Sequence, residues 1–206
     1  MLFLSFIAFP VLSPGAALLW IEGDGVVVME AEKGTPETNE HWAVRTDVAD
    51  YRGDGFIRWE GEDYLKNDTH GRLAYRFYLQ EGGTYGMRLI SFHDPASRGK
   101  RADEENDCWT NVDLSDPNRF VKTYRNGILA GRPWSERTQW VLHVNGRDEF
   151  PNATYVLEAG EHTFRLAARA ENLMIDRIIL FRMETDSDTV DINAPESLIS
   201  GITDEK

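Results

Sequence analysis

Apolar residues fall along the chain in short alternating or continuous runs broken by polar turns, with almost no 3.6-residue periodicity. The clearest run places Leu73, Tyr75, Phe77 and Leu79 on one face and Ala74, Arg76 and Tyr78 on the other. Glu81-Gly82-Gly83 then turns the chain, and Thr84–Phe92 returns with Tyr85, Met87, Leu89 and Ser91, a pattern that predicts a hairpin. Val26–Glu32 predicts an early strand whose far half alternates, so that Glu30 and Glu32 share a face. Leu18–Glu22 reads as a short first strand or the start of a mature chain. Further strands are predicted at Trp42–Val44, Phe56–Trp59, Cys108–Leu114, Gln139–Val144, Tyr155–Leu157 and His162–Ala168. The stretch Glu171–Phe181, apolar and β-branched, predicts a last strand packed between neighbours. Short strands punctuated by turns predict an all-β, two-sheet β-sandwich, although the pattern does not fix the strand order.

The ends read differently. Met1–Leu19 is apolar and uncharged and finishes in small residues around Gly15-Ala16-Ala17, which predicts a secretory signal and an exported protein. A buried segment or a membrane anchor is the alternative, and Pro10 and Pro14 argue against a continuous spanning helix. Residues 20–183 form the predicted sandwich, and 184–206, acidic and without periodicity, the predicted tail or linker. His93–Asp107 predicts a long charged surface loop.

Of the 206 residues, 41% are hydrophobic, enough for a real core. A formal net charge of -13 argues against a nucleic-acid partner, because a phosphate backbone would be repelled; neutral ligands and divalent cations remain compatible. Cys108 stands alone, so no intrachain disulfide is possible and a buried thiol is expected. His41, His70, His93, His143 and His162 show no zinc-ligand spacing, and neither a serine elbow nor a phosphate loop is present. Glu60, Glu62 and Asp63 lie together on what reads as an acidic loop, and with 35 Asp and Glu residues such groupings arise readily.

One residue does not suit its strand. Asp176 interrupts the apolar run Leu173–Phe181, and an ionised carboxylate there is costly unless a cation or several donors meet it. Glu30 and Glu32, pointing the same way, would likewise gain from a shared cation. The same residues read equally as solvated edge carboxylates, with Asp176 in a salt bridge, for instance with Arg177.

Val28-Met29-Glu30-Ala31-Glu32, Leu157-Glu158-Ala159-Gly160-Glu161-His162-Thr163-Phe164 and Asn172-Leu173-Met174-Ile175-Asp176-Arg177-Ile178 together resemble the galactose-binding-like β-sandwich domains, in particular carbohydrate-binding modules of families 6 and 35. The resemblance covers roughly Gly25 to Arg182 and implies a jelly roll. It also implies a structural calcium held by Glu30, Glu32 and Asp176, with backbone carbonyls completing its shell. Glycan contact is implied at Asn172, with Glu171 beside it, and at aromatics near Tyr51–Trp59 and Trp109. The candidates for covering sugar rings are Trp59, Tyr64, Trp109 and Trp134, since saccharides offer apolar ring faces to aromatics and hydroxyls to polar groups. Each has a plainer reading: Trp109 as core, Trp134 as a loop cover, Asn172 as a turn residue.

The function these readings predict is non-catalytic binding of a polysaccharide or oligosaccharide by an exported module, with a catalytic domain or enzyme as a possible neighbour. The alternatives are a structural or protein-binding sandwich and a small polysaccharide-degrading enzyme. Exposed aromatics beside Asn172 would favour the first, a flat apolar sheet face the second, and close buried carboxylates in a cleft the third.

Overall fold

The structure is a computed structural model. It describes residues 18–38, 41–65, 70–92, 99, 104–113, 154–184, 190–191 and 193–200, and the backbone alone of 121–124, 141–143 and 201. The predicted signal segment up to residue 17, Trp134, and most of the charged loop at 93–107 lie outside the described residues.

The strands are β1 (Leu18–Ile21), β2 (Val26–Glu30), β3 (Thr35–Pro36), β4 (Trp42–Arg45), β5 (Phe56–Trp59), β6 (Leu73–Leu79), β7 (Gly83–Phe92), β8 (Asp107–Val112), β9 (Val121–Tyr124), β10 (Val141–His143), β11 (Thr154–Leu157), β12 (Gly160–Ala167), β13 (Met174–Arg182) and β14 (Ile199–Gly201). They form two sheets. The first has the order β14-β1-β6-β12-β8-β9 with β3 also beside β6; the second runs β10-β7-β13-β5-β4, with β11 on β7 and β2 on β13. β1 runs parallel to β6, whereas β12 and β13 pair antiparallel with their neighbours. No helix among the described residues is long and apolar enough to cross a membrane.

The alternation of β6 is realised: Leu73, Tyr75, Phe77 and Leu79 are buried in the inter-sheet core. The hairpin is not. β6 belongs to the first sheet and β7 to the second, so Gln80–Gly82 carries the chain across the sandwich. Tyr85, Met87 and Leu89 of β7 meet the same core from the opposite side. Alternation reports which face is buried and not which strand lies alongside. The crossing is anchored by the buried carboxylate of Glu22, which accepts the backbone N–H of Gln80 at 2.6 Å. Cys108 also faces this core, and burial raises its thiol pKa well above the ordinary value, leaving an inert side chain.

β13 is buried along both faces. Ile175, Ile178 and Leu180 point into the inter-sheet core, while Met174, Ile179 and Phe181 join Val28, Phe56, Ile90 and Val190 on the outer side of the second sheet. An alternating strand could not place both 175 and 178 inward. The register with β7 shifts between Ile175 and Arg177, making Asp176 the extra residue of a β-bulge that resets the phase.

The expected acidic tail is, in its described part, a strap on the sandwich. Val190 is buried in the outer cluster, the Ser197 N–H donates to the Val28 carbonyl at 3.0 Å, and β14 pairs antiparallel with β1, Leu18 opposite Gly201. Its low hydrophobicity hides this, because it is held mainly by hydrogen bonds and by Glu196, which accepts from Trp20 Nε1 at 2.9 Å and Lys33 Nζ at 2.5 Å. Among the described residues the first strand starts at Leu18, within the stretch Leu18–Glu22 read as a short first strand.

Candidate functional site

Two neighbourhoods hold the residues singled out from the sequence. The first is a corner of carboxylates. β2 ends at Glu30, earlier than expected, and Ala31–Lys33 form a 3-10 turn. That turn, rather than strand alternation, brings Glu32 round to the same corner. Glu30 lies directly across from Arg177 on β13. Both of its carboxylate oxygens accept from that guanidinium, at 3.1 Å from Nε and 2.5 Å from Nη2, within a buried pair. The bulge turns Asp176 away from Arg177 and towards the 50–54 loop. Its two oxygens accept the Arg52 backbone N–H at 3.0 and 3.2 Å, and the Arg52 guanidinium lies 3.7 Å away. The partner of Asp176 is thus Arg52, while Arg177 serves Glu30.

Glu32 completes the group. Its Oε1 accepts the Asp54 N–H at 3.3 Å, but its buried Oε2 has no hydrogen-bond partner among the described residues. Burial pushes the Glu32 carboxyl up to about 7, and the charge of Glu30 adds to the shift. Burial likewise pushes Asp176 up to about 6, with the Arg52 N–H opposing and Glu30 reinforcing it. Gly53, at φ +64, closes the corner. A Cβ there would stand 2.9 Å from Oε2 of Glu30 and 3.0 Å from Oε1 of Glu32, so only glycine leaves the space open. Among the described residues no three His, Cys, Asp or Glu side chains are grouped closely enough to hold a metal ion as they stand. The corner nonetheless has all-oxygen donors, an orphaned buried carboxylate oxygen and a gap kept by glycine. These features fit a hard cation such as calcium.

The second neighbourhood is an open cleft of about 550 Å³ lined by His41, Glu60, Gly61, Glu62, Asp63, Tyr64 and Glu171. Trp59, at the end of β5, does not line the cleft but packs against two residues that do, His41 and Tyr64. Trp59 is a sequence candidate for covering a sugar ring, but it is fully buried and presents no face. Its indole N–H donates to the Glu62 carbonyl at 2.9 Å, and its ring meets those of Trp42, His41 and Tyr64 edge-on with centroids 5.3, 5.8 and 6.0 Å apart. A Cβ on Gly61 would collide with this ring, which explains the glycine between two glutamates.

The segment after β5 is stitched to the turn before β13. Tyr64 N–H donates to the Arg169 carbonyl at 2.7 Å, Asn172 N–H to the Trp59 carbonyl at 3.0 Å, and Glu171 N–H to Asp63 Oδ1 at 2.8 Å. Tyr64, half-buried, stacks one face on His70 at 3.8 Å and lines the cleft with Glu171. Trp109 and Asn172 stand behind this wall rather than in it. The Trp109 ring, half-buried with Arg169 over it at 5.2 Å, donates its N–H to the Tyr64 carbonyl at 3.1 Å. Asn172 adopts φ +57, a left-handed conformation that asparagine tolerates, and its side-chain amide reaches Glu105 at 3.4 Å. Of the candidates, then, Tyr64 and Glu171 line the cleft, Trp59 is sealed behind His41 and Tyr64, and Trp109 and Asn172 hydrogen-bond to the segment that carries it. Sequence reasoning passes over Glu60, Glu62, Asp63 and His41 as an ordinary acidic loop and an unplaced histidine. The usable signal is the Gly61 wedged between Trp59-Glu60 and Glu62-Asp63.

The chain is similar in fold to the GH26-CBM35 β-(1,4)-mannanase of Podospora anserina, with a TM-score of 0.48 and 18% identity over 77% of this chain and 28% of that one. It is also similar to a family 35 carbohydrate-binding module from Clostridium thermocellum, with a TM-score of 0.48, 14% identity, and 76% and 98% of the two chains covered. A third likeness, to CBM35 from Paenibacillus barcinonensis, has a TM-score of 0.48 and 15% identity over 75% of this chain and 97% of that one. The chain thus spans less than a third of the mannanase. No curated protein matches it. Its sequence, however, matches over residues 19–187, from the first strand to just past β13, the profile of the Glycosyl hydrolase family 115 C-terminal domain, and the chain belongs to that family.

Proposed function

We propose that this domain binds a saccharide without cleaving it, in the cleft at the β5 end of the sandwich, and holds a structural calcium at the carboxylate corner. The observation that carries the first part is the cleft itself: an open, polar depression with His41 and Tyr64 in its lining, both packed against the buried Trp59 ring. Fixed walls suit a ligand bound mainly by hydrogen bonds and ring stacking, since little ordering entropy is lost on binding. The outer side of the second sheet is covered in part by Val190 and Ala194, which leaves less of the flat apolar face that a protein-binding sandwich would use.

The charge of the lining narrows the ligand. Glu60, Glu62, Asp63 and Glu171 contribute carboxylates, and no lysine or arginine is among the described lining residues. Arg45 is close by but is paired with Glu60. A sugar acid would meet repulsion, whereas hydroxyls can donate to these oxygens. The ligand is therefore read as a neutral glycan.

A glycan array followed by titration calorimetry tests this. Neutral polysaccharides should bind, with affinity nearly independent of salt, and Tyr64→Ala should weaken binding roughly tenfold, the scale of one aromatic contact. Preference for uronate-bearing glycans, or unchanged affinity in Tyr64→Ala, would rule the cleft out.

For the corner, Glu30, Glu32 and Asp176 would hold the calcium. The supporting observations are the unpaired Glu32 oxygen and the space beside Gly53. Bound there, calcium would meet the Glu32 oxygen that has no partner among the described residues, and tie β2 to β13. Glu30 would share its oxygens with Arg177.

A further inference from the structure

The two arginines at the carboxylate corner each have a second attachment. Arg177 grips Glu30 with Nε and Nη2 and donates from Nη1 to the Ala194 carbonyl at 2.6 Å. Arg52 meets Asp176 through its backbone N–H and guanidinium, and its Nη2 donates to Asn193 Oδ1 at 2.5 Å. Both second attachments fall on consecutive residues of the C-terminal strap. Beyond them the strap pairs with the free edge of β2, where the Val28 N–H donates to Ser197 Oγ at 2.9 Å. It then reaches β1, where the Ile21 N–H donates to the Leu198 carbonyl at 2.8 Å. The strap thus joins the edge of one sheet to the edge of the other, and its upstream end is held by guanidinium groups whose other ends sit on the carboxylates.

We infer that cation occupancy of the corner and docking of the 193–201 strap are coupled through Arg52 and Arg177, each stabilising the other. A guanidinium is planar and rigid, so the direction of the carboxylate it grips fixes the direction of its remaining N–H groups. Without a cation, repulsion among the three carboxylates would work against the arrangement in which Arg177 holds Glu30 and Arg52 holds Asp176, and the arginine forks would follow any shift. A cation that fixes Glu30 and Asp176 fixes the forks, and with them the donors that Asn193 and Ala194 need. Coupling of this kind is reciprocal in free energy, so a docked strap must raise cation affinity by the same factor. The inference rests on the calcium reading and adds a regulated element to it: a strap that loosens when the cation is withdrawn, opening the seam between the sheets.

The test is amide hydrogen exchange on the full chain in excess calcium chloride and in chelator, with calorimetric titration of calcium alongside. The expected result is exchange at the Ile21 and Ser197 amides slowed by roughly 5- to 150-fold in calcium, the range of ordinary allosteric coupling. The amides of β12, which lies in the other sheet from β2 and β13 and does not pair with the strap, should change less. The variant Asn193→Ala/Glu196→Ala, which frees the strap without touching a carboxylate of the corner, should bind calcium more weakly by a matching factor. If calcium binds but strap exchange is unchanged or accelerated, the coupling is wrong and the calcium reading stands. A variant that keeps full calcium affinity overturns the coupling in the same way. Absence of any calcium heat would remove the calcium reading, and the coupling with it.

Discussion

Replacing Arg177 with Met lowers the stability of the metal-free domain by about 3–5 kcal/mol, the usual cost of stranding one member of a buried ion pair. For a domain of this size that is a fall in Tm on the order of 10 °C. The expectation follows from the place of the pair. Glu30 and Arg177 are opposite each other on β2 and β13, both buried, with the remaining Nη1 donor spent on the Ala194 carbonyl. Removing the guanidinium leaves the Glu30 carboxylate between Glu32 and Asp176 without its counter-charge. The double variant Glu30→Met/Arg177→Met should recover most of the loss, because it removes the stranded charge as well. Urea denaturation of the four proteins in chelator gives the cycle. A single-variant cost under about 1 kcal/mol, typical of exposed pairs, would show that the pair is not desolvated in solution.

Calcium should raise Tm, and pH should set by how much. At a free concentration one hundred times its Kd, calcium adds about 2.7 kcal/mol, or roughly 5–10 °C here. Asp176→Ala should abolish most of that increase. The pH dependence follows from the raised carboxyls of Glu32, at about 7, and Asp176, at about 6. Between their unfolded and folded pKa values the native state binds more protons than the unfolded state, so stability of the metal-free protein falls as pH rises through that window. The metal-free domain is therefore expected to be more stable at pH 5 than at pH 7.5. Calcium selects the ionised carboxylates, so its stabilising increment should be large at pH 7.5 and shrink towards pH 5. Scanning calorimetry with and without chelator at both values checks this. A calcium increment that is the same at both pH values would place the ion elsewhere, and no increment at all would remove the site.

The sequence carries the burial pattern of this fold better than its wiring. Leu73, Tyr75, Phe77 and Leu79 announce a buried face because period-2 alternation is a local signal. β6 and β7 lie in different sheets, and the turn between them is held by Glu22 from 58 residues away, a contact that no local pattern records. Asp176 is legible as a misfit, but its role as a bulge residue is not, since a bulge is defined by two strands and a sequence shows one. Trp59 shows the converse. Its neighbours Glu60, Gly61 and Glu62 look like loop, and only the packing of Trp42, His41 and Tyr64 around the ring seals it. Tyr64 and Glu171 reach the cleft by a different route, because the turn before β13 is hydrogen-bonded to the segment after β5. The strap at 193–201 is invisible for a related reason. Its attachments are polar and distant in sequence, while hydropathy reads apolar and near ones.

The pairing of β14 with β1 sets Leu18 against Gly201, one inter-strand spacing of about 5 Å apart. Within the described residues, the two ends of the chain therefore lie side by side at one edge of the first sheet. Spliced into a host polypeptide at those two points, the domain would hang as a pendant without prising apart the segments on either side, and a very short linker could close it into a ring.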